Sequence, residues 1–529
     1  MICRSFLSNA ADLRPSLICA PHPTHRTPMA RTHISAWSPV RVLVVFLIMT
    51  STPDVLVAQT DVALRDSINQ ILMDAGPSNA IWAVRILRTA DGHPVYDRNG
   101  YTSLVPASNT KLYTTAAALD QLGPEFRYRT ALFADGPVED GVLRGPLVVR
   151  GSGDPAIGGR FTDGDITHTF RAWADSLKAK GISRIDGDIV GDDNIFDDVP
   201  LGFSWSWDDE PFWYSAEISG LSFNDNNVDF TITPRSRTEP GIITWEPLGT
   251  DYIRVENATV TVHADSQLVE GYSRERGTND FRLYSSIPEG RTDPESLTIK
   301  NPTLFFVHVL RDVLIRQGIS VSGTPRDVDD MSLRPDYGRM QRIAVHESAT
   351  LSRIVHVINK RSQNLYAEQV LKTLGTRKHA KGASARDGIE VARNLFAEAR
   401  IDTSLLHLVD GSGLSRRNLV TADMTADLLQ YMAHHPDTTL QRVFRESLPV
   451  AGLDGTLSSR MRGTAAQGNL RAKTGTLGGA SALSGYVTSS NGVGYTFVLM
   501  ANNYTGSASG VRRTQDRIGA FLARHVSPH

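Results

Sequence analysis

From about residue 125 to 335 the chain consists of short runs rich in Val, Ile and Thr, broken at close intervals by Gly, Asp and Pro. The runs at 147–150, 187–191, 228–234 and 259–263 have the length and spacing of strands in small sheet or sandwich domains. Two segments of another texture flank this stretch. Ahead of it, Leu64, Ile68, Ile71 and Leu72 follow helical spacing up to Gly76-Pro77. Trp82, Val84 and Ile86 then alternate before Asp91-Gly92 and Val95-Tyr96, which predicts a hairpin. Behind it, helical patterns return over 351–360 and 366–372. Ser490-Asn491-Gly492 then joins apolar runs at 484–488 and 495–500, and Val511, Ile518, Phe521 and Leu522 mark a last helix. The simplest path makes one α/β domain from residues 59–125 and 340–529, with 126–339 inserted as β-rich accessory domains. Insertion at an exposed loop is tolerated because domain termini usually lie close together.

A chain of 529 residues is too long for a single ordinary core. Lys+Arg 55 against Asp+Glu 57 gives no global basis for nucleic-acid binding, which favours a strongly basic domain. Arg41 precedes the apolar run from Val42 to Met49, and Leu56-Val57-Ala58 follows, so residues 1–58 read as a signal peptide region with cleavage near Ala58. The run is far shorter than the ~20 residues that cross a bilayer. Peripheral association with the membrane stays open. A second methionine, Met29, would start a signal of more usual length. Cys3 and Cys19 both fall in this removable segment, so the exported protein has no thiol nucleophile and no Cys-ligated metal. The expected location is the periplasm or cell envelope.

Pro106-Ala107-Ser108 leads into an Ala-rich helical stretch, so Ser108 opens a helix and Lys111 lies one turn on, on the same face. A buried lysine with a lowered pKa can take the proton of a serine hydroxyl, and free N–H groups at a helix start can face an oxyanion. Alone, such a pair is also a capping serine with a solvated lysine. Ser362-Gln363-Asn364 shares its pattern with Ser67-Ile68-Asn69, Ser222-Phe223-Asn224 and Ser489-Ser490-Asn491. Its place between two helical segments, where a turn can project into a cleft, selects it. Lys473-Thr474-Gly475-Thr476 stands before Gly478-Gly479 and a strand, which allows close approach of backbone to a ligand. Ser-x-x-Lys, Ser-x-Asn and Lys-Thr-Gly in this order mark the penicillin-binding and serine β-lactamase group. No zinc motif or Gly-x-Ser-x-Gly elbow competes.

Within that group the sequence resembles the D-alanyl-D-alanine carboxypeptidase/endopeptidases of the penicillin-binding protein 4 type, the class C low-molecular-weight penicillin-binding proteins. The likeness rests on the three motifs and on segments 151–155, 187–192, 205–209, 362–368 and 410–415, across nearly all of 61–525. The long gap between Ser108 and Ser362 separates this family from β-lactamases. The resemblance implies an α/β (α+β) penicillin-binding/β-lactamase-like transpeptidase domain with a β-rich insertion of two nested accessory domains. It implies that Ser108 is acylated by a peptidoglycan stem peptide or a β-lactam antibiotic, that Lys111 is its base, and that Ser362 relays a proton to the leaving group. Asn364 would hold the substrate amide, and Lys473, Thr474, Gly475 and Thr476 would line the carboxylate site. Backbone N–H groups of Ser108 and Thr476 would form the oxyanion hole. No metal or cofactor is implied. Gln363 departs from the Asp frequent at that position, with little expected consequence. Asp209, with Tyr214 as a neighbour, is the best match to an acid that grips the amine of the stem peptide's diamino acid. It also reads simply as part of a solvated acidic pair. The alternatives are a serine β-lactamase-like hydrolase and a cell-wall-binding protein with a vestigial site.

Overall fold

The computed structural model describes residues 53–74, 79–332 and 334–526. The apolar run and the two cysteines of the signal region lie outside them. The inner strand Ile81–Arg88 is apolar on both faces. Ala83 and Leu87 point into one core, whereas Trp82, Val84 and Ile86 point into another. A strand with two buried faces must be the middle of a three-layer stack. It belongs to a five-stranded antiparallel sheet in the order Pro94–Arg98, Ile81–Arg88, Gly494–Asn502, Ala480–Thr488, Arg471–Leu477. Both ends of the chain therefore build one sheet.

Helices Pro53–Met73 and Ser509–Arg524 cover one face through Leu64, Ile68, Val511, Ile518 and Leu522. The other face is covered by Thr110–Leu122, Leu351–Arg361, Asn364–Gly375 and Ala422–Ala433, whose apolar sides share one core. Helix Ala422–Ala433 starts at Thr421, whose hydroxyl accepts from the Met424 N–H at 3.1 Å. Thr421→Ala is expected to lower stability by about 1 kcal/mol, the usual value of such a cap, measured by urea unfolding.

The insertion starts where the first segment leaves this unit. Its main sheet has the order Pro325–Asp327, Ile189–Asp192, Leu147–Arg150, Arg129–Ala134, Gln341–Glu347. Strand Gln341–Glu347 returns to pair with Arg129–Ala134, so this sheet extends past residue 340. Nested within it, Asn227–Thr233 is flanked by Ile242–Glu246 and Asp293–Thr298. The insertion is less purely β than its Val/Ile/Thr content suggests, for it carries helices His168–Ala179 and Pro302–Arg316. Phe170, Trp173, Ala174 and Leu177 of the first are buried at helical spacing, and Phe170 packs on Phe223 and Phe306. The second opens with Pro302 at its first position and Asn301 accepting from the Leu304 N–H, a start signal legible in sequence. Among the described residues no helix is long and apolar enough to cross a membrane.

Candidate active site

Ser108 lies in a 3-10 turn, Ala107–Asn109, that runs directly into helix Thr110–Leu122. The turn is tighter than a plain helix start, and Ala107 takes a left-handed φ of 48°. It is held on several sides. Thr110 Oγ1 donates to the Ala107 carbonyl at 3.0 Å, and Asn109 Nδ2 donates to Ser484 Oγ on the sheet at 2.6 Å. The half-buried Ser108 hydroxyl thus stands on a fixed scaffold.

Lys111 is 0% exposed and approaches Ser108 Oγ at 3.1 Å. Its Nζ also lies 2.6 Å from Asn364 Oδ1 and 2.6 Å from the Ser412 carbonyl. Asn364 is oriented unambiguously, since its Nδ2 donates to the Tyr214 carbonyl at 2.7 Å. Both fixed partners of Lys111 are pure acceptors. In the neutral amine they hold its two hydrogens, and the lone pair is left facing Ser108. Burial draws the Lys111 pKa down to about 7, against the opposing pull of Asp410 and Glu368. The amine is a competent base near neutral pH.

Ser362 takes a left-handed φ of 60° where helix Leu351–Arg361 ends, which turns its hydroxyl toward the sheet. Lys473 Nζ, also 0% exposed, donates to Ser362 Oγ at 2.9 Å and to the Thr474 carbonyl at 2.9 Å. Burial, reinforced by the charge of Lys111, pushes Lys473 well below the usual lysine range. The two lysines therefore oppose each other's protonation. Lys473 sits on Arg471–Leu477, the edge strand of the sheet, with half-buried Thr474 and exposed Thr476 on the same run. Thr474 Oγ1 donates to Thr456 Oγ1 at 2.7 Å, and Arg512 Nη2 donates to Thr476 Oγ1 at 3.2 Å. A Cβ on Gly475 would stand 2.5 Å from the Pro106 carbonyl and 3.2 Å from Ser108 N, so strand and serine turn touch through backbone. All three motifs meet at one place.

The profile of the D-Ala-D-Ala carboxypeptidase 3 (S13) family matches residues 64–525. The chain belongs to this S13 family. A D-alanyl-D-alanine carboxypeptidase of Actinomadura sp. (strain R39) is 35% identical over 484 residues, 88% of this chain and 85% of its own length. The Haemophilus influenzae D-alanyl-D-alanine carboxypeptidase DacB is 26% identical over 426 residues, 78% of this chain and 83% of its own. The crystal structure of penicillin binding protein 4 from Haemophilus influenzae shares the fold, with TM-score 0.73 and 22% identity over 87% of this chain and 99% of that one.

Several residues packed around this cluster lie outside the three short motifs. Glu368, one turn beyond Asn364 on the same helix face, is buried and accepts from the N–H groups of Gly411 and Ser412 at 2.7–3.1 Å. Burial and the nearby Asp410 raise its pKa. Asp410 accepts from Gly413 N, Ser415 N and Asn418 Nδ2 at 2.6–2.8 Å and from Trp205 Nε1 at 3.0 Å. The two acids shape the 410–415 loop so that the Ser412 carbonyl reaches Lys111. Asp209 lies on the 3-10 turn Trp207–Asp209 and accepts from Tyr214 Oη at 2.8 Å. That hydroxyl is pushed above its ordinary range by burial and by Asp209. Asp209 is thus linked to Asn364 through the backbone of Tyr214.

Gln363 has more to do than expected of it. It is 3% exposed, its Oε1 accepts from Leu365 N at 3.2 Å as a helix cap, and its Nε2 donates to Asp225 Oδ2 of the insertion at 2.9 Å. Gln363→Ala is expected to cost about 1–2 kcal/mol, the sum of a lost cap and an exposed partner, with acylation slowed only several-fold. Thermal unfolding and a penicillin-labelling time course measure the two effects separately.

Proposed function

We propose that this S13 enzyme is a serine D-Ala-D-Ala carboxypeptidase and DD-endopeptidase that hydrolyses peptidoglycan stem peptides and crosslinks through an acyl-enzyme on Ser108. The observation that carries this reading is the buried amine of Lys111, with two acceptors holding its hydrogens and Ser108 Oγ 3.1 Å away. Lys111 takes the hydroxyl proton as Ser108 Oγ bonds to the penultimate D-alanine carbonyl. The C–N bond to the terminal D-residue then breaks, and the departing amine receives a proton through Ser362, which Lys473 holds by hydrogen bond. Water next adds to the ester, Ser108 Oγ leaves and its proton returns. Asn364 has a second N–H free for the substrate amide. Lys473, Thr474 and Thr476 bind the terminal carboxylate, and the N–H groups of Ser108 and Thr476 stabilise the oxyanion, where one lost donor typically costs ~2.7–4 kcal/mol. Asp209 receives the amine of the diamino acid.

Residues 59–125 and those after strand Gln341–Glu347 serve as the catalytic domain and 126–347 as the accessory insertion, exported to the periplasm or cell envelope by residues 1–58. β-Lactams acylate the same serine. The related Haemophilus influenzae penicillin binding protein 4 has been crystallised with a β-lactam. A fluorescent penicillin is expected to label the native chain and to leave Ser108→Ala unlabelled. Rapid turnover of the penicillin would instead identify a β-lactamase, and a native chain that takes no label would identify a vestigial binding protein. Chromatography of digested peptidoglycan separates removal of terminal D-alanine from cleavage of crosslinks.

A further inference from the structure

Strand Asp293–Thr298 pairs with Asn227–Thr233 so that Asp293 lies opposite Ile232 and Glu295 opposite Phe230. Two residues apart on a strand, Asp293 and Glu295 project from the same face. Glu270, from the segment leading into strand Tyr272–Arg274, meets them there. One carboxylate oxygen of each residue lies within 4.8 Å of the other two. Oxygens bound to one ion at about 2.4 Å can be no farther apart than about this.

Carboxylates converge in this way against their own repulsion, and no lysine or arginine among the described residues forms an ion pair with any of the three. Asp293 is 1% exposed, and its Oδ2 is shielded from solvent without accepting a hydrogen bond. A buried carboxylate with no donor is disfavoured unless a cation or a proton compensates it.

We propose that Glu270, Asp293 and Glu295 bind a divalent cation of the calcium type. The donor set is all oxygen, which suits a hard ion, and it lacks the imidazole or thiolate that selects zinc or copper. Calcium accepts six to eight oxygens in flexible geometry, and exposed Glu270 leaves an open side for water to complete the shell. The ion ties the Glu270 segment to the strand. Tyr272, beside Glu295, packs edge-on against Phe212 at 5.8 Å, and Phe212 stacks on Tyr214 at 5.5 Å. The Tyr214 carbonyl in turn holds Asn364. The cation therefore braces the wall that supports the site without touching the reacting atoms.

The test uses the full chain stripped with EDTA. Terbium is expected to give saturable emission excited through the neighbouring Tyr272, calcium to displace it, and calcium to raise Tm. In the double variant Asp293→Asn/Glu295→Gln the calcium affinity is expected to fall at least tenfold, with the Tm response lost. Comparison with this variant isolates the site from the carboxylate groups at Asp193, Asp327 and Asp329 and around His308. A native chain whose Tm and terbium signal ignore calcium, or a variant that responds equally, overturns the proposal. If the double variant does not fold, Glu270→Gln at the exposed position gives the same comparison, and an unchanged calcium affinity there overturns it as well.

Discussion

Lys111→Met is expected to slow acylation of Ser108 by penicillin roughly 10³–10⁴-fold, the upper range for loss of a positioned general base. Methionine fills most of the lysine's volume in a site that is 0% exposed, so the loss is chemical and the fold is kept. The same lysine sets the pH profile. With its pKa near 7, Lys111 is protonated below that pH and cannot accept the serine proton; above it the amine is neutral and can. The second-order acylation rate of the native enzyme should therefore rise with pH through about 7 and level off above it. Lys473 titrates as a linked partner, so the observed midpoint belongs to the pair. In Lys111→Met the rise through 7 should vanish. Stopped-flow labelling across pH 5.5–9 measures both quantities, and a variant that kept the native pH profile would exclude Lys111 as the base.

The extent to which this site can be read from sequence follows from where its chemistry resides. The roles proposed for Ser108, Lys111, Ser362, Asn364 and Lys473 belong to side chains, and side-chain chemistry leaves short patterns in fixed order. Lys111 and Asn364, 253 positions apart, are brought to 2.6 Å by the α/β unit that both ends of the chain build. Glu368 and Asp410 were harder to see because a carboxylate in a helix or an Asp-Gly-Ser-Gly loop looks like ordinary surface chemistry. Their roles depend on burial, which no local pattern states. The link from the insertion to Asn364 was invisible, because it uses the backbone carbonyl of Tyr214. Helices His168–Ala179 and Pro302–Arg316 carried their own signals in apolar spacing and capping. The surrounding short strands mask them, because their Val, Ile and Thr content dominates the texture of the whole segment.

Gly475→Ala is expected to reduce the acylation rate about 100-fold, since misplacing reacting groups by ~1 Å costs on that order. Gly475 sits opposite Ala482 on the edge strand, and an added Cβ would lie 2.5 Å from the Pro106 carbonyl, a backbone atom that cannot swing aside. Moving the serine turn away from the strand is blocked on the far side. There Gly413, with φ +81°, already lies so close that a Cβ on it would meet the Ala107 carbonyl at 1.9 Å. The turn is clamped between the edge strand and the 410–415 loop, and Ala107 within it holds a left-handed conformation that has little freedom left. The strain of one methyl group must then appear as displacement of Ser108 relative to Lys111 and to the N–H of Thr476. Gly494→Ala on the same sheet is the control, because its Cβ would meet Thr89 at an ordinary 3.4 Å. The control should acylate at the native rate. If Gly475→Ala acylated within threefold of the native enzyme, the strand and the serine turn would not be in the rigid contact that the proposed carboxylate and oxyanion sites require.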